Sequence, residues 1–264
     1  MKRRSLTHLL FLDGEYRTAP RRVSWFARLF PSIAFHSRLA GIVWRAGLKA
    51  RREHYGDDDW VKSSLEVVRA LERVGVEFEV TGMHYLERLD SPCLVIGNHM
   101  STLETTVLPG LIQPYRDVTF VVKQSLLDYP VFKHVMRSRD PIAVSQRDPR
   151  QDFKAMMEGG LSRLEKGVSL VIFPGGVRAP KFNPAEFNKI GVKLARRAGV
   201  PIVPFALDTN AWGVGRWFSD LGRIDPSQKV RFAFGEPIEV RGRGTEEHEA
   251  VVKFVCEKLA AWGE

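Results

Sequence analysis

The sequence predicts an α/β fold: a mixed, largely parallel central sheet flanked by helices, preceded by an N-terminal amphipathic helical arm. Two patterns carry that prediction. From residue 57 onward, apolar runs of strand length alternate with stretches of helical period, and the runs are apolar enough that both faces of the sheet must be covered. Ahead of them, residues 1–52 hold 12 Lys/Arg against 2 Asp/Glu, whereas the other 28 Lys/Arg and 29 Asp/Glu nearly cancel. The net charge of +9 therefore sits in the first fifth of the chain. Residues 1–56 read as a basic arm and 57–264 as the body. With 264 residues, 44% of them hydrophobic, the chain can bury a sizeable core.

Pro31 divides the arm into two helical pieces. Trp25, Phe26, Leu29 and Phe30 precede it, and Ile33, Trp44 and Leu48 follow. Phe35, Leu39, Ile42, Val43 and Ala46 form a stripe of helical period, with Arg38, Arg45, Lys49 and Arg52 beside it. Large apolar groups flanked by cations suit a helix lying in a lipid headgroup layer, where each cation near an anionic surface adds about 1 kcal/mol. Trp25, Phe26, Phe30, Arg38, Trp44 and Arg45 are the candidate membrane-docking residues. A helix packed on the body with a solvated basic edge is the alternative. A nucleic-acid partner is not expected, since no recognition motif accompanies the charge. The longest run free of Asp, Glu, Lys and Arg is Ser91 to Leu103, 13 residues, short of a membrane span. Leu9 to Leu12 is too brief for a signal-peptide core. The expected location is peripheral, on the cytoplasmic face of a membrane. Cys93 and Cys256 lie far apart in apolar runs and read as free thiols. No metal-ligand spacing is present, so no metal site is expected.

In the body, Asp57-Asp58-Asp59 open a helix that turns Trp60, Val67, Val68, Leu71 and Val74 inward. Val76, Phe78 and Val80 alternate with Glu77 and Glu79 as a half-exposed strand. Pro92 to Ile96 is a buried strand, and Ser101 or Thr102 caps the helix after it. Val118 to Val122 is a second buried strand ending at Lys123. A helix over Pro130 to Arg137, a strand over Pro141 to Val144, and a helix through Phe153, Met156, Met157, Leu161 and Leu164 follow. Val168 to Phe173 is a strand that runs into Pro174-Gly175-Gly176-Val177-Arg178. A helix over Val192 to Ala198, capped by Gly199, leads to an apolar strand over Val200 to Leu207. Trp212 and Trp217 lie in a Gly-rich loop suited to lining a cleft or resting on lipid. Val230 to Phe234 is the last strand, and Thr245 starts a helix with Val251, Val252, Val255 and Leu259 inward.

The chemistry gathers at strand ends, where open α/β sheets place their ligands. His99 sits where a strand gives way to a helix, so its side chain can face a cleft while regular structure holds its backbone. Glu104, in the first helical turn, can fold back toward the imidazole, fix its tautomer and raise its basicity. Ser101 to Glu104 is also a capping box, which alone would account for the carboxylate. Arg178 supplies a planar fork for a phosphate or carboxylate, and the glycines before it let a ligand approach the backbone. By itself, that turn is equally an ordinary loop with a surface arginine.

Taken together these motifs resemble the glycerolipid acyltransferase family, the lysophosphatidate acyltransferases and their relatives. Four blocks match in order across about residues 90–207. Asn98, His99 and Glu104 fit the family's Asn-His-x4-Asp, with Glu for the usual Asp. Lys123, Pro130 and Pro141-Ile-Ala-Val144 fit the second block. Phe173, Pro174, Gly176 and Arg178 fit Phe-Pro-Glu-Gly-Thr-Arg, and Val200 to Pro204 fits the fourth, an apolar strand. The resemblance implies transfer of a fatty acyl group from a thioester co-substrate, acyl-CoA or acyl-ACP, to a lysophospholipid hydroxyl, without metal or other cofactor. It implies His99 as general base and Glu104 as its orienting partner. Arg178, Lys123 and Gly176 would hold the acceptor's phosphate, and membrane lipids and an acyl carrier protein would be partners.

Two departures flank the arginine: Gly175 stands for the family's Glu and Val177 for its Thr. In the second block, Arg147 falls about one residue beyond the expected place. Lysophosphatidate, giving phosphatidate, is the first acceptor expected. The departures keep open another lysophospholipid or a lyso-aminolipid, and beyond those a catalytically silent membrane-binding relative.

Overall fold

The computed structural model describes residues 13–129, 133–215 and 220–263. Its elements run β1 (Tyr16–Arg17), α1 (Trp25–Leu29), α2 (Pro31–Arg51), α3 (Asp57–Glu72), β2 (Phe78–Thr81), α4 (Met83–Glu87), β3 (Leu94–Gly97), α5 (Leu103–Ile112) and β4 (Val118–Lys123). They continue with α6 (Lys133–Arg137), β5 (Ile142–Val144), α7 (Pro149–Glu165), β6 (Ser169–Ile172), α8 (Ile190–Ala198), β7 (Ile202–Asp208), β8 (Val230–Phe234) and α9 (Thr245–Trp262). The strands form one sheet in the order β1-β2-β8-β7-β3-β6-β4-β5. Only β1 with β2 and β7 with β8 pair antiparallel, so the sheet is mixed and largely parallel, as the apolar strands require.

The alternation of side chains along each strand builds two cores. Leu94 and Ile96 of β3, Leu170 and Ile172 of β6 and Ile202 of β7 face α7, α8 and α9, where Met157, Leu164, Leu194 and Val251 meet them. Val95, Val171, Val203 and Phe205 face the other way, against Leu65, Val68 and Leu71 of α3 and Val107, Leu108 and Leu111 of α5. β3 is covered on both sides and flanked by β6 and β7. Its C-terminal end is therefore a rigid place from which to present His99.

The arm corrects one expectation. The stripe expected against lipid is core: Phe35, Leu39 and Ile42 are buried, and Phe35 packs edge-on against Trp212 at 4.8 Å. Arg45 and Lys49, beside that stripe, pair with Glu66 and Asp59 of α3 at 2.6 and 2.5 Å. α2 thus packs on α3 and joins the main core. On the opposite side of α2, Ile33, Trp44 and Leu48 are exposed, at a spacing that returns them to one face. Trp25, Phe26, Leu29 and Phe30 are exposed beside them, and Arg38 is exposed as well. Phe35→Ala is expected to cost about 3–5 kcal/mol, since it opens a cavity under Trp212. Chemical denaturation monitored by tryptophan fluorescence would show it as one cooperative transition at lower midpoint.

Most remaining elements fall within a residue or two of the reading above, with exceptions. β1 is too short for periodicity to show, and it exists by pairing with β2. α4 is a single turn, started by Gly82 in the left-handed region. Trp212 is buried rather than lining a cleft or meeting lipid. Cys93 is buried and Cys256 half-buried, both free. The start of the helix expected from Pro130, and Trp217, lie outside the described residues. Among the described residues, no helix is long and apolar enough to cross a membrane.

Candidate functional site

β3 ends in a glycine because nothing larger fits. A Cβ on Gly97 would lie 2.2 Å from the Phe205 carbonyl oxygen of β7. Asn98 then carries the pairing on with its side chain. Its Nδ2 donates to the Leu207 carbonyl at 2.8 Å, and its Oδ1 accepts from the Leu207 N–H at 3.0 Å. The backbone thus leaves the sheet while still anchored, and His99 is the next residue. Its carbonyl accepts from Ala179 N–H at 2.9 Å, which ties the turn after β6 to it. Its ring stacks on Phe173 at 4.2 Å, 19° from parallel.

Glu104, in the first turn of α5, is fully buried. Its Oε1 accepts from His99 Nδ1 at 2.8 Å and from the backbone N–H groups of Met100 and Ser101 at 2.6 and 2.8 Å. Its Oε2 accepts from the hydroxyls of Ser101 and Thr209 at 2.9 and 2.7 Å. The reciprocal capping box expected over Ser101 to Glu104 does not form, since Thr102 is the N-cap and Ser101 Oγ accepts from Leu103 N–H, but the one carboxylate still reaches back to the backbone ahead of the helix and orients the imidazole. Burial pushes the Glu104 carboxyl up. The hydrogen bond and charge of His99, with the bonds from Ser101 and Thr209, more than offset it, and the group is held below the usual carboxylate range. A carboxylate beside Nδ1 can only accept, so Nδ1 carries a proton and donates to it, which leaves Nε2 as the nitrogen that can exchange a proton with a ligand. Among the described residues Nε2 has no hydrogen-bond partner, and the side chain keeps 16% exposure, so Nε2 faces outward.

Arg178 follows β6 and lies beside the same helix start. Its Nη1 donates to Asp220 Oδ1 at 2.7 Å and to Thr102 Oγ1. Thr102, the N-cap residue of α5, donates in turn to Asp220 Oδ1 at 2.7 Å. Gly176 is in the left-handed region at φ +67°, with open space where a side chain would be, and its carbonyl accepts from Gln146 Nε2 at 2.9 Å. Lys123 ends β4 at the same edge of the sheet, exposed and two strands from β3. The structure therefore brings together His99, Glu104 and, through Thr102, Arg178, with Gly176 in the turn between Phe173 and Arg178, and leaves Lys123 at the rim.

Three participants escaped the sequence reading. Thr209 follows an apolar strand and carries no motif, and Asp220 lies in an irregular segment of no period. Phe173 belongs to the third motif, but nothing in its spacing tells that its ring lies under the imidazole.

The sequence profile of the acyltransferase family matches residues 77–208, half of the chain. A 1-acyl-sn-glycerol-3-phosphate acyltransferase of Pseudomonas aeruginosa is 27% identical over 186 residues, covering 70% of this chain and 68% of that protein. A probable 1-acyl-sn-glycerol-3-phosphate acyltransferase of Mycoplasma genitalium is 31% identical, over 53% of this chain and 49% of that one. Other relatives of this name are spanned over about a third to a half of their length. Among solved structures, the 1-acyl-sn-glycerophosphate (LPA) acyltransferase PlsC of Thermotoga maritima shares the fold, with a TM-score of 0.66, 19% identity, and coverage of 89% of this chain and 95% of that one.

Proposed function

As the chain belongs to the glycerolipid acyltransferase family, we propose that it moves a fatty acyl group from acyl-CoA or acyl-ACP to the hydroxyl of a lysophospholipid, with His99 as general base and lysophosphatidate as the first acceptor. The observation that carries the reading is the outward Nε2 of His99, opposite an Nδ1 anchored on a buried carboxylate. A lipid hydroxyl is a poor nucleophile at neutral pH and needs a base within hydrogen-bond reach. Nε2 takes the hydroxyl proton as the oxygen attacks the thioester carbonyl carbon. The imidazolium formed is stabilised by Glu104 across a 2.8 Å bond. Collapse of the tetrahedral intermediate breaks the C–S bond, and the leaving thiolate recovers the proton from His99. Products are the new ester and the free thiol. Arg178 and Gly176 receive the acceptor headgroup, with Lys123 at the rim. The names of the relatives above support lysophosphatidate as acceptor.

The exposed apolar faces of α1 and α2 support docking on a membrane that supplies both amphiphiles. Replacing Trp25, Leu29 and Ile33 together by Ser is expected to lower the fraction that sediments with anionic liposomes several-fold. The melting temperature should hold, because none of the three is buried. Unchanged sedimentation would place the lipid contact elsewhere. For the reaction, the purified protein is incubated with labelled acyl-CoA and, separately, labelled acyl-ACP, over a panel of lysolipids. Formation of a diacyl product supports the reading; no product with any pair contradicts it.

A further inference from the structure

We propose that Asp220 is the acceptor-selectivity residue of this site: its carboxylate occupies the anion place on Arg178, so headgroups are sorted by the charge they bring. This rests on the reading of Arg178 as the headgroup residue. A guanidinium next to the N-cap of a ten-residue helix is where an anionic group is best held. Here the anion is internal. Asp220 Oδ1 accepts from Arg178 Nη1 and from Thr102 Oγ1, each at 2.7 Å. The pair is not interior, since the Arg178 and Asp220 side chains keep 27% and 40% exposure.

The carboxylate is also placed independently of the arginine. Just beyond it, the Gly222 carbonyl accepts from His36 Nε2 at 2.8 Å, and the Ile224 N–H donates to Ser32 Oγ at 2.9 Å. Both partners are on α2, so the fold pins the segment carrying Asp220.

The consequence is electrostatic. A phosphate monoester brings up to about two negative charges at neutral pH. At this site it meets a cation whose charge a fixed carboxylate already offsets, and it must either displace that carboxylate or bind beside a like charge. A zwitterionic headgroup, a phosphodiester bearing an ammonium, offers its phosphate to Arg178 and its ammonium to Asp220. Gly175 and Val177 give no side-chain donor to compensate a monoester. Asp220 therefore narrows the preference for a bare phosphate and admits headgroups that carry their own cation.

The test compares lysophosphatidate with lysophosphatidylethanolamine of the same acyl chain in neutral detergent micelles. Binding is measured by calorimetry in the His99→Ala background, with Asp220 intact, Asp220→Asn or Asp220→Glu. Turnover is measured in parallel on the same Asp220 series with His99 present. Asp220→Asn is expected to shift both ratios about tenfold toward lysophosphatidate, the scale for removing one like charge beside a doubly charged group at a half-exposed site. Asp220→Glu should stay within about threefold of the native ratios. Ratios unchanged within about twofold, or equal losses on both acceptors, would overturn the proposal and leave Asp220 as an anchor of its loop. Should the His99-containing protein turn over neither of these acceptors nor any other lysolipid of the panel, the acyl-transfer reading falls, while the calorimetric ratio still decides the role of Asp220.

Discussion

His99→Ala is expected to lower kcat by about 10³-fold, within the range ascribed to a positioned general base, while leaving the fold intact. The fold should survive because Glu104 keeps four other donors when the imidazole is removed: two backbone N–H groups and the hydroxyls of Ser101 and Thr209. The buried carboxylate is thus not orphaned, and the loss of one hydrogen bond and of the stack on Phe173 amounts to about 1–2 kcal/mol. Product formation from labelled donor, together with the melting temperature, checks both halves. A variant that keeps kcat within about tenfold of the native protein would remove His99 from the chemistry.

At Glu104, two substitutions are expected to separate stability from catalysis. Glu104→Ala withdraws the acceptor from five donors at once and is expected to cost about 3 kcal/mol or more. Glu104→Gln can keep a carbonyl at the Oε1 position, where an N–H must point, and turn its amide toward the two hydroxyls, which can rotate to accept. Its stability loss should be smaller, but it lacks the charge that supports the imidazolium, and kcat is expected to fall about 10²-fold. Denaturant midpoints and steady-state rates of the two variants check the split. The carboxylate also sets an acid limb. Its folded pKa lies below the ordinary value of 4.5, so its contribution to stability is complete above that value and is lost as pH falls through the folded pKa. In Glu104→Gln this part of the acid limb should disappear.

The parts of this site legible in the sequence are those encoded locally. Leu94 to Gly97 is an apolar run between turn residues, and Glu104 lies in the first turn of an apolar helical segment with Ser101 three residues ahead, so strand, helix and pair follow from spacing. The sheet's continuous apolar strands likewise require cover on both faces. What was not legible depends on which distant segments meet. The stripe through Phe35, Leu39 and Ile42 has the right period for either lipid or core, and only the arrival of Trp212 and α3 decides for the core. α2 in fact carries two apolar faces, and the exposed one, Ile33, Trp44 and Leu48, was present in the sequence without a mark of its side. Arg178 was identified as a cation at a strand end, yet its partner Asp220 lies 42 residues away in a segment without periodicity. Thr209 reaches Glu104 across 105 residues, because β7 lies next to β3 in the sheet.

The account turns on which nitrogen of one ring carries the proton. Nitrogen-15 chemical shifts of the His99 ring in the labelled protein at neutral pH measure this directly. The account predicts a protonated Nδ1, its proton protected from exchange by Glu104, and an unprotonated Nε2 whose shift responds to added acceptor lipid. A proton on Nε2, or an Nε2 shift indifferent to every lysophospholipid offered, would contradict it.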